Sequence, residues 1–241
     1  MKKYVIFLVC LMFSMIAFGQ DSSKNENTPP EFRGFKNSVA TLNTENSALV
    51  NNYLKENLVC PKRAAECGIE GTETVQFTVT KSGDVKDFQV INSVCHELDK
   101  EVIRVLKTTN GMWSPGVKNG NPTAMINEVT FVLSSYNEST ITKHFTREAT
   151  RYFKGGNKNF LVKNNPEKAV QFYNKALNYL PNDEVLLSMR GLCHYALGDK
   201  ESAKKDWNRI VALGETNALV INYDIANIDG YSEMKEILAN K

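Results

Sequence analysis

Apolar and polar residues alternate on both sides of a short turn in the first half of the chain. The turn is Ser82-Gly83-Asp84, and the alternation runs through residues 71–79 before it and resumes at Val85. Strands rich in β-branched residues around a Gly-Asp turn predict a β-hairpin with one apolar face. The alternation shifts by one position between Val85 and Phe88, which predicts a β-bulge near the turn. The apolar residues of the first strand are Val75, Phe77 and Val79.

Segments on either side of the hairpin can cover its apolar face. Residues 47–58 and 98–106 each carry apolar residues at helical spacing, and residues 125–133 alternate as a further strand. The order is therefore helix, strand, strand, helix, strand. This order predicts an α+β domain over residues 31–135, with helices on one face of an antiparallel sheet.

The hydrophobic period changes after residue 146. Residues of matching character recur at one offset of 34 positions, which predicts an all-α domain of helical repeats over residues 146–241. The pairs at this offset are Ala169 with Ala203, Tyr173 with Trp207, Ala176 with Ile210, and Asn157 with Gly191. The period and these residues resemble the tetratricopeptide (TPR) repeat, although Gly155-Gly156-Asn157 departs from its pattern.

Repeat phasing directs one group of polar residues to the concave side of the helical domain. These residues are Arg151, Lys154 and Lys158 in the first repeat and Ser188 and Tyr195 in the second. The three cations belong to a basic run over residues 143–175. That run is either a binding surface for an acidic ligand or a solvated helix face, and the sequence favours neither.

The α+β domain carries its motifs in an order that resembles a known family. The hairpin sequence GIEGTETVQFTVTKSGDVKDFQV is followed by LDKEVIRV, then by WSPGVKNGNP and a closing strand. Together, over about residues 30–133, these segments resemble the C-terminal domain of the TonB energy transducer. The resemblance implies a domain that binds peptides or receptor plugs by adding a strand to an exposed sheet edge. We expect that edge to be the last strand, through Asn127, Val129 and Phe131.

The composition is that of an ordinary globular chain, 42% hydrophobic and 23% charged. Residues 1–19 combine Lys2 and Lys3 with an apolar run and the small-residue site Ala17-Phe18-Gly19. They predict a cleaved secretory signal, followed by a polar linker over residues 20–30. The expected location is the periplasm, and the alternative is an inner-membrane anchor formed by residues 4–18. Nucleic-acid binding is not expected, because the sequence lacks a basic stripe with interleaved aromatic residues.

Candidate chemistry is sparse. Cys95-His96-Glu97 with Asp99 fits no zinc-ligand spacing, and the sequence has neither a phosphate loop nor a nucleophile elbow. We therefore expect no enzyme activity, no metal site and no cofactor. An exported chain meets oxidising conditions, so Cys67 with Cys95 is the candidate disulfide. Cys193 is expected to be a small buried hydrophobe.

Three functions remain open at this point. The first is an exported interaction module whose partners are other envelope proteins or extended peptides, outer-membrane receptors among them. The second is a TonB energy transducer for receptor transport. Only Pro29 and Pro30 stand where such a transducer has a proline-rich spacer, so we expect no energy transduction and a mature chain that does not span the membrane. The third is an envelope-assembly scaffold.

Overall fold

The computed structural model describes residues 27–34, 46–59, 69–134, 138–214 and 225–239. The expected signal segment, residues 1–19, and Cys67 lie outside these ranges. Helices and strands are mixed up to residue 134, a part called the sheet module below. From residue 138 onward the described chain is helical, and this part is called the helical module. The division agrees with the mixed and all-α parts predicted from the sequence.

Three long strands form the antiparallel sheet of the sheet module. In chain order the strands are β1 (Glu31–Phe32), β2 (Gly71–Val79), β3 (Val85–Asn92), β4 (Trp113–Ser114), β5 (Gly116–Lys118), β6 (Asn121–Thr123) and β7 (Met125–Leu133). The spatial order of the sheet is β3-β2-β7, so β2 is central and the other two strands lie at its edges. Short two-stranded pairs, β1 with β4 and β5 with β6, complete the module.

The predicted hairpin joins β2 to β3, and its turn requires glycine. Gly83 has a φ of 84°, in the left-handed region that favours glycine. A Cβ atom at this position would lie 2.2 Å from the carbonyl oxygen of Trp113. The turn is therefore fixed both by its backbone conformation and by the chain that packs against it.

Two helices cover one face of this sheet, as the sequence predicts. They are α1 (Asn46–Asn57) and α2 (His96–Lys107), and their buried residues meet the apolar side chains of β2. Trp113 is central to this core: its indole N–H donates to Thr109 Oγ1 at 2.9 Å, and its ring lies 5.2 Å from that of Phe77. The buried set comprises Phe32, Val50, Leu54, Val75, Phe77, Val79, Val85, Leu98, Val102, Val105, Leu106, Trp113 and Val129.

The sheet module begins earlier than the expected boundary at residue 31. Thr28 and Val117 exchange both of their backbone hydrogen bonds, each 2.9 Å long. Residues assigned to a polar linker are thus already paired with the fold. The sequence did not predict this pairing, because an isolated bridge between two residues depends on the distant partner and not on the composition of the polar segment.

The helical module consists of helices that pack against their neighbours in chain order. They are α3 (Glu138–Asn157), a π-helical turn (Lys158–Val162), α4 (Pro166–Leu177), α5 (Glu184–Ala196), α6 (Lys200–Ala212) and α7 (Tyr231–Ala239). Asn165, Asp183 and Asp199 cap the N-termini of α4, α5 and α6. The module starts at Glu138, eight residues before the position inferred from the change of period.

Residues 34 positions apart occupy equivalent places in this module. Ala169 and Ala203, Tyr173 and Trp207, and Ala176 and Ile210 are all completely buried. The departure at Gly155-Gly156-Asn157 also has a structural reason. The Tyr173 hydroxyl donates to Asn157 Oδ1 at 2.6 Å, where the second unit has Gly191 packed against the ring of Trp207. The π-helical turn follows directly after Asn157.

Candidate interaction surfaces

The outer edge of β7 is the most regular backbone edge in the described chain. β2 and β7 pair without a register shift over nine residue pairs, from Gly71 with Leu133 to Val79 with Met125. No strand of the described residues pairs with the other side of β7. An edge of this kind presents a row of unpaired N–H and C=O groups to which an extended segment can pair.

Contacts at Thr72 identify which backbone groups of β7 point outward. The Thr72 N–H donates to the Asn178 carbonyl at 2.7 Å, and the Thr72 carbonyl accepts the Asn92 side-chain amide at 2.6 Å. Thr72 therefore does not exchange backbone hydrogen bonds with Val132, the residue opposite it. Opposed pairs alternate along an antiparallel ladder, so every second pair from here lacks these bonds.

The outward backbone groups of β7 consequently belong to Ile126, Glu128, Thr130 and Val132. An independent contact agrees with this assignment, because the Glu128 N–H donates to Asn127 Oδ1 at 2.9 Å and not to the neighbouring strand. Two of the four residues also present apolar side chains to solvent. Ile126 is 70% exposed and Val132 is 43% exposed.

The residues expected at this edge, Asn127, Val129 and Phe131, lie in β7 but alternate with the outward set. Their partners across the ladder are Phe77, Val75 and Glu73. Val129 is 3% exposed and belongs to the core. By the alternation derived above, the backbone groups of all three point towards β2. The apolar alternation predicted the strand. Which alternate residues of β7 face outward is shown by the contacts of Thr72 and Glu128.

The opposite edge of the sheet, β3, is poorly suited to strand addition. Its register with β2 shifts twice, and the pairs Thr78–Lys86 and Gln76–Gln89 leave one extra residue in β3. Asp87, within this predicted bulge, has a φ of 54° and pairs with Lys86. Bulges and exposed charges are the devices by which natural edge strands avoid pairing. The sheet therefore has one irregular, charged edge and one regular edge.

A charged contact joins the helical module to the face of the sheet opposite α1 and α2. Arg209 of α6 donates to both carboxylate oxygens of Glu128, at 2.6 and 2.7 Å, and also to Asn182 Oδ1. Gln76 donates to the same carboxylate at 2.9 Å. The Arg209 side chain is 12% exposed and that of Glu128 is 25% exposed, so the pair is largely desolvated. Bidentate geometry of this kind fixes orientation as well as charge.

A second contact joins the modules at the start of β2. Thr72 Oγ1 donates to the Tyr179 carbonyl at 2.9 Å, beside the backbone bond to Asn178. Nearby, Arg147 donates to His144 Nδ1 at 2.9 Å. Since arginine can only donate, His144 carries its hydrogen on Nε2 and gives it to Glu70 at 3.0 Å. The helical module is thus attached along β2 and β7 by backbone and side-chain hydrogen bonds.

A buried carboxyl group, that of Glu73, lies on the core side of β2. Glu73 is 1% exposed, and its Oε2 accepts the Val94 N–H at 2.8 Å. Burial, together with the neighbouring Asp99 carboxylate, raises the pKa of Glu73 to about 8, while the bond from Val94 acts in the other direction. Ser93 donates to Asp99 Oδ1 at 2.8 Å. At neutral pH Glu73 is therefore a protonated, uncharged group in the fold.

One of the five residues expected on a concave helical surface, Ser188, is buried. Arg151, Lys154 and Lys158 are exposed, and Arg151 pairs with Glu148 at 2.7 Å. Ser188 is completely buried, which removes it from any binding surface. Tyr195 stacks on Trp207 with ring centroids 6.0 Å apart. Ser188 was misplaced because phasing of this unit by period alone does not separate the inner face of a helix from its packed flank.

The described residues include two cysteines, Cys95 and Cys193. Cys95 is a half-buried cysteine at the N-cap of α2, and because Cys67 lies outside the described ranges their disulfide stays a prediction. Burial raises the pKa of the Cys193 thiol, in agreement with the buried hydrophobe expected there. No group of three His, Cys, Asp or Glu residues within the described ranges could hold a metal ion. Nor does any helix in those ranges have the length and apolarity needed to cross a bilayer.

The geometry defines an α+β module with one open antiparallel edge, attached to a helical module. Residues 56–133 match the family described as Gram-negative bacterial TonB protein C-terminal. The matched range begins later than the resemblance over residues 30–133 had indicated, and it does not include the helical module. No curated protein matches the chain.

Two of the solved structures that match are similar to part of this chain. One is the NMR solution structure of Helicobacter pylori TonB-CTD, residues 194–285. It is 18% identical, with a TM-score of 0.32, and the match covers 39% of this chain and all of that one. The other, of residues 179–285 of the same protein, is 19% identical with a TM-score of 0.31, and covers 40% of this chain and 89% of that one.

Proposed function

We propose that this chain is an exported envelope protein-interaction module, and that it binds an extended segment of a partner by strand addition at the outer edge of β7. The observation that carries the proposal is the contrast between the two edges of one sheet. β7 pairs regularly with β2 and has four outward residues, whereas β3 carries two register shifts and a charged bulge. A segment added at β7 gains backbone hydrogen bonds, and the exposed Ile126 and Val132 side chains add apolar contact.

The helical module supports this function by contacting β7 on the sheet face opposite α1 and α2. Glu128 is one of the four outward residues, and its side chain is fixed by Arg209 and Gln76. A strand that is already ordered loses less conformational freedom when it pairs with a partner. We further propose that the helical module is of the TPR type, a reading supported by the equivalent burial of residues 34 positions apart.

The periplasm is the proposed location, with residues 1–19 acting as a cleaved signal. Support comes from the charged and apolar pattern of those residues and from the Gram-negative family matched by residues 56–133. The proposed partners are envelope proteins or extended peptides. Neither an enzyme reaction nor a cofactor is part of the proposal.

The test is site-directed photo-crosslinking in intact cells. A photoreactive residue is placed at Ile126, on the outer edge of β7, and a matched probe is placed at Gln89, on β3. We expect a discrete adduct from Ile126 and none from Gln89. Equal adducts from both positions would contradict the proposal, because contact would then not depend on the edge.

A backbone variant separates strand addition from ordinary side-chain contact. Thr130→Pro removes an outward N–H while leaving the hydrogen bonds between β2 and β7 in place, and edge strands tolerate proline at such positions. Thr130→Val retains the N–H and is the matched control. The Ile126 adduct should disappear in Thr130→Pro and persist in Thr130→Val, with folding of both checked by circular dichroism. Identification of the partner as an outer-membrane receptor, with receptor-driven uptake restored by the chain, would favour the transducer alternative. A set of assembly proteins without receptors would favour the scaffold alternative.

A further inference from the structure

A straight row of basic side chains follows the exposed side of α3 and the first residue of the π-helical turn. The row consists of Lys143, Arg147, Arg151, Lys154 and Lys158, all of which are exposed. Successive members are four, four, three and four residues apart. At about 100° and 1.5 Å per residue, this spacing confines the row to an arc of about 80° and extends it over about 22 Å.

The side of the row is lined by hydroxyl groups. Thr142, Thr146 and Thr150 are exposed and each precedes a position of the row by one residue, so they form a parallel line on the same helix. Glu148 pairs with Arg147 and Arg151 at 3.4 and 2.7 Å, and it is the acidic residue that meets the row. The arc thus offers cationic and hydroxyl donors. Beside it, the Arg151 guanidinium lies 4.5 Å from the centre of the Tyr152 ring, and Val162, at the end of the π-helical turn, is 77% exposed.

Such a row is unfavourable for the helix by itself. Like charges separated by four residues repel each other along a helix, and among the described side chains Glu148 offsets this for two of the five. An anionic ligand along the row would relieve the repulsion. The arrangement therefore has a physical reason to be occupied that a mixed, solvated face does not have.

We propose that this basic row binds an extended acidic peptide segment whose carboxylates stand at alternate residues. Alternate side chains of an extended strand are about 6.6 Å apart, and cations four residues apart on a helix are about 6 Å apart, so the two rows stay nearly in step. A membrane surface fits less well, since Val162 is the one strongly exposed large apolar side chain that the described residues place beside the row, and a lipid interface calls for an apolar face. Single-stranded nucleic acid fits less well because Tyr152, the aromatic ring beside the row, already stacks on Tyr179 and is covered by Arg151, so it is not open to a base.

Binding by the purified full chain tests the proposal. A labelled peptide of about eight residues, alternating glutamate and serine, spans the length of the row. A second peptide has the same composition with its glutamates in one block. We expect the alternating peptide to bind several-fold more tightly than the blocked one, and its affinity to fall as salt is raised. Equal affinity for both peptides would contradict the register on which the proposal rests.

Two matched double variants locate the contact. Lys154→Gln with Lys158→Gln removes two cations from the row. We expect this double variant to bind the alternating peptide about fivefold to tenfold more weakly than the wild type does. Lys163→Gln with Lys168→Gln makes the same change of net charge at exposed positions away from the row and should leave affinity unchanged. An equal loss in both variants, or tighter binding to phosphatidylglycerol vesicles or to a single-stranded oligonucleotide than to the peptide, would overturn the proposal. The Thr130→Pro variant should bind the peptide normally, because this site is separate from β7.

Discussion

Replacing Glu73 by glutamine should remove one specific pH dependence from the stability of the sheet module. In the fold this carboxyl group has a pKa of about 8, against 4.5 for an exposed glutamate. Its folded pKa is raised, so folding takes up a proton wherever the pH lies between those values. The contribution of Glu73 to the free energy of unfolding is therefore greatest below about pH 4.5, falls as the pH rises to about 8, and then levels off.

The magnitude follows from the difference between the two pKa values. At 1.36 kcal/mol per pKa unit, the loss of stability across this window is about 5 kcal/mol. Glutamine has nearly the same shape, stays neutral, and can still accept the Val94 N–H that Glu73 accepts now. We therefore expect Glu73→Gln to match the wild type near pH 4.5 and to exceed it by several kcal/mol near pH 9.

Urea denaturation followed by circular dichroism, at several pH values between about 4.5 and 9, measures this effect. Glu56→Gln is the matched control, because Glu56 is an exposed carboxylate on α1 and its loss should leave the slope unchanged. The informative quantity is the difference between variant and wild type, in which the other titrating groups cancel. Parallel pH profiles for wild type and Glu73→Gln would refute the buried, protonated state.

Two further changes test the contacts of the helical module. Arg209→Met removes the bidentate partner of Glu128 at the module interface and should cost about 2 kcal/mol, less when Glu128→Gln is also present; denaturation of the single and double variants measures the coupling. Gly191→Ala would place a Cβ atom 2.3 Å from Trp207 Nε1, so we expect a loss of about 1–3 kcal/mol in thermal unfolding, and Trp207→Phe should reduce that loss in the double variant. Additive effects in either pair would contradict the contact that motivates it.

Local patterns in the sequence predicted the elements well where the signal repeats over many residues. The hairpin, its bulge, the two covering helices and the closing strand all follow from the alternation or helical spacing of apolar residues. The offset of 34 positions predicted equivalent burial of Ala169 and Ala203, and of Tyr173 and Trp207. These are features that neighbouring residues specify together.

Features that depend on contacts between distant segments were not predictable in the same way. Arg209 and Glu128 are 81 residues apart, and nothing in their local sequences marks them as partners. Which residues of β7 point their backbone groups outward depends on the alternation of the ladder, which the contacts of Thr72 with Asn178 and of Glu128 with Asn127 reveal. Shifting the parity by one residue exchanges the edge-facing and ladder-facing sets, which is why the expected Asn127 set alternates with the outward one.

Amide hydrogen exchange of the chain, alone and bound to the segment recovered by crosslinking, tests the central claim most directly. Strand addition should slow exchange at Ile126, Thr130 and Val132, whose N–H groups point outward, and leave Val129 and Phe131 unchanged because they are already paired with β2. The Glu128 N–H, held by the Asn127 side chain, should change less than the other outward groups. Protection confined to β3 or to the helices, with no change in β7 while the segment is bound, would contradict binding at this edge.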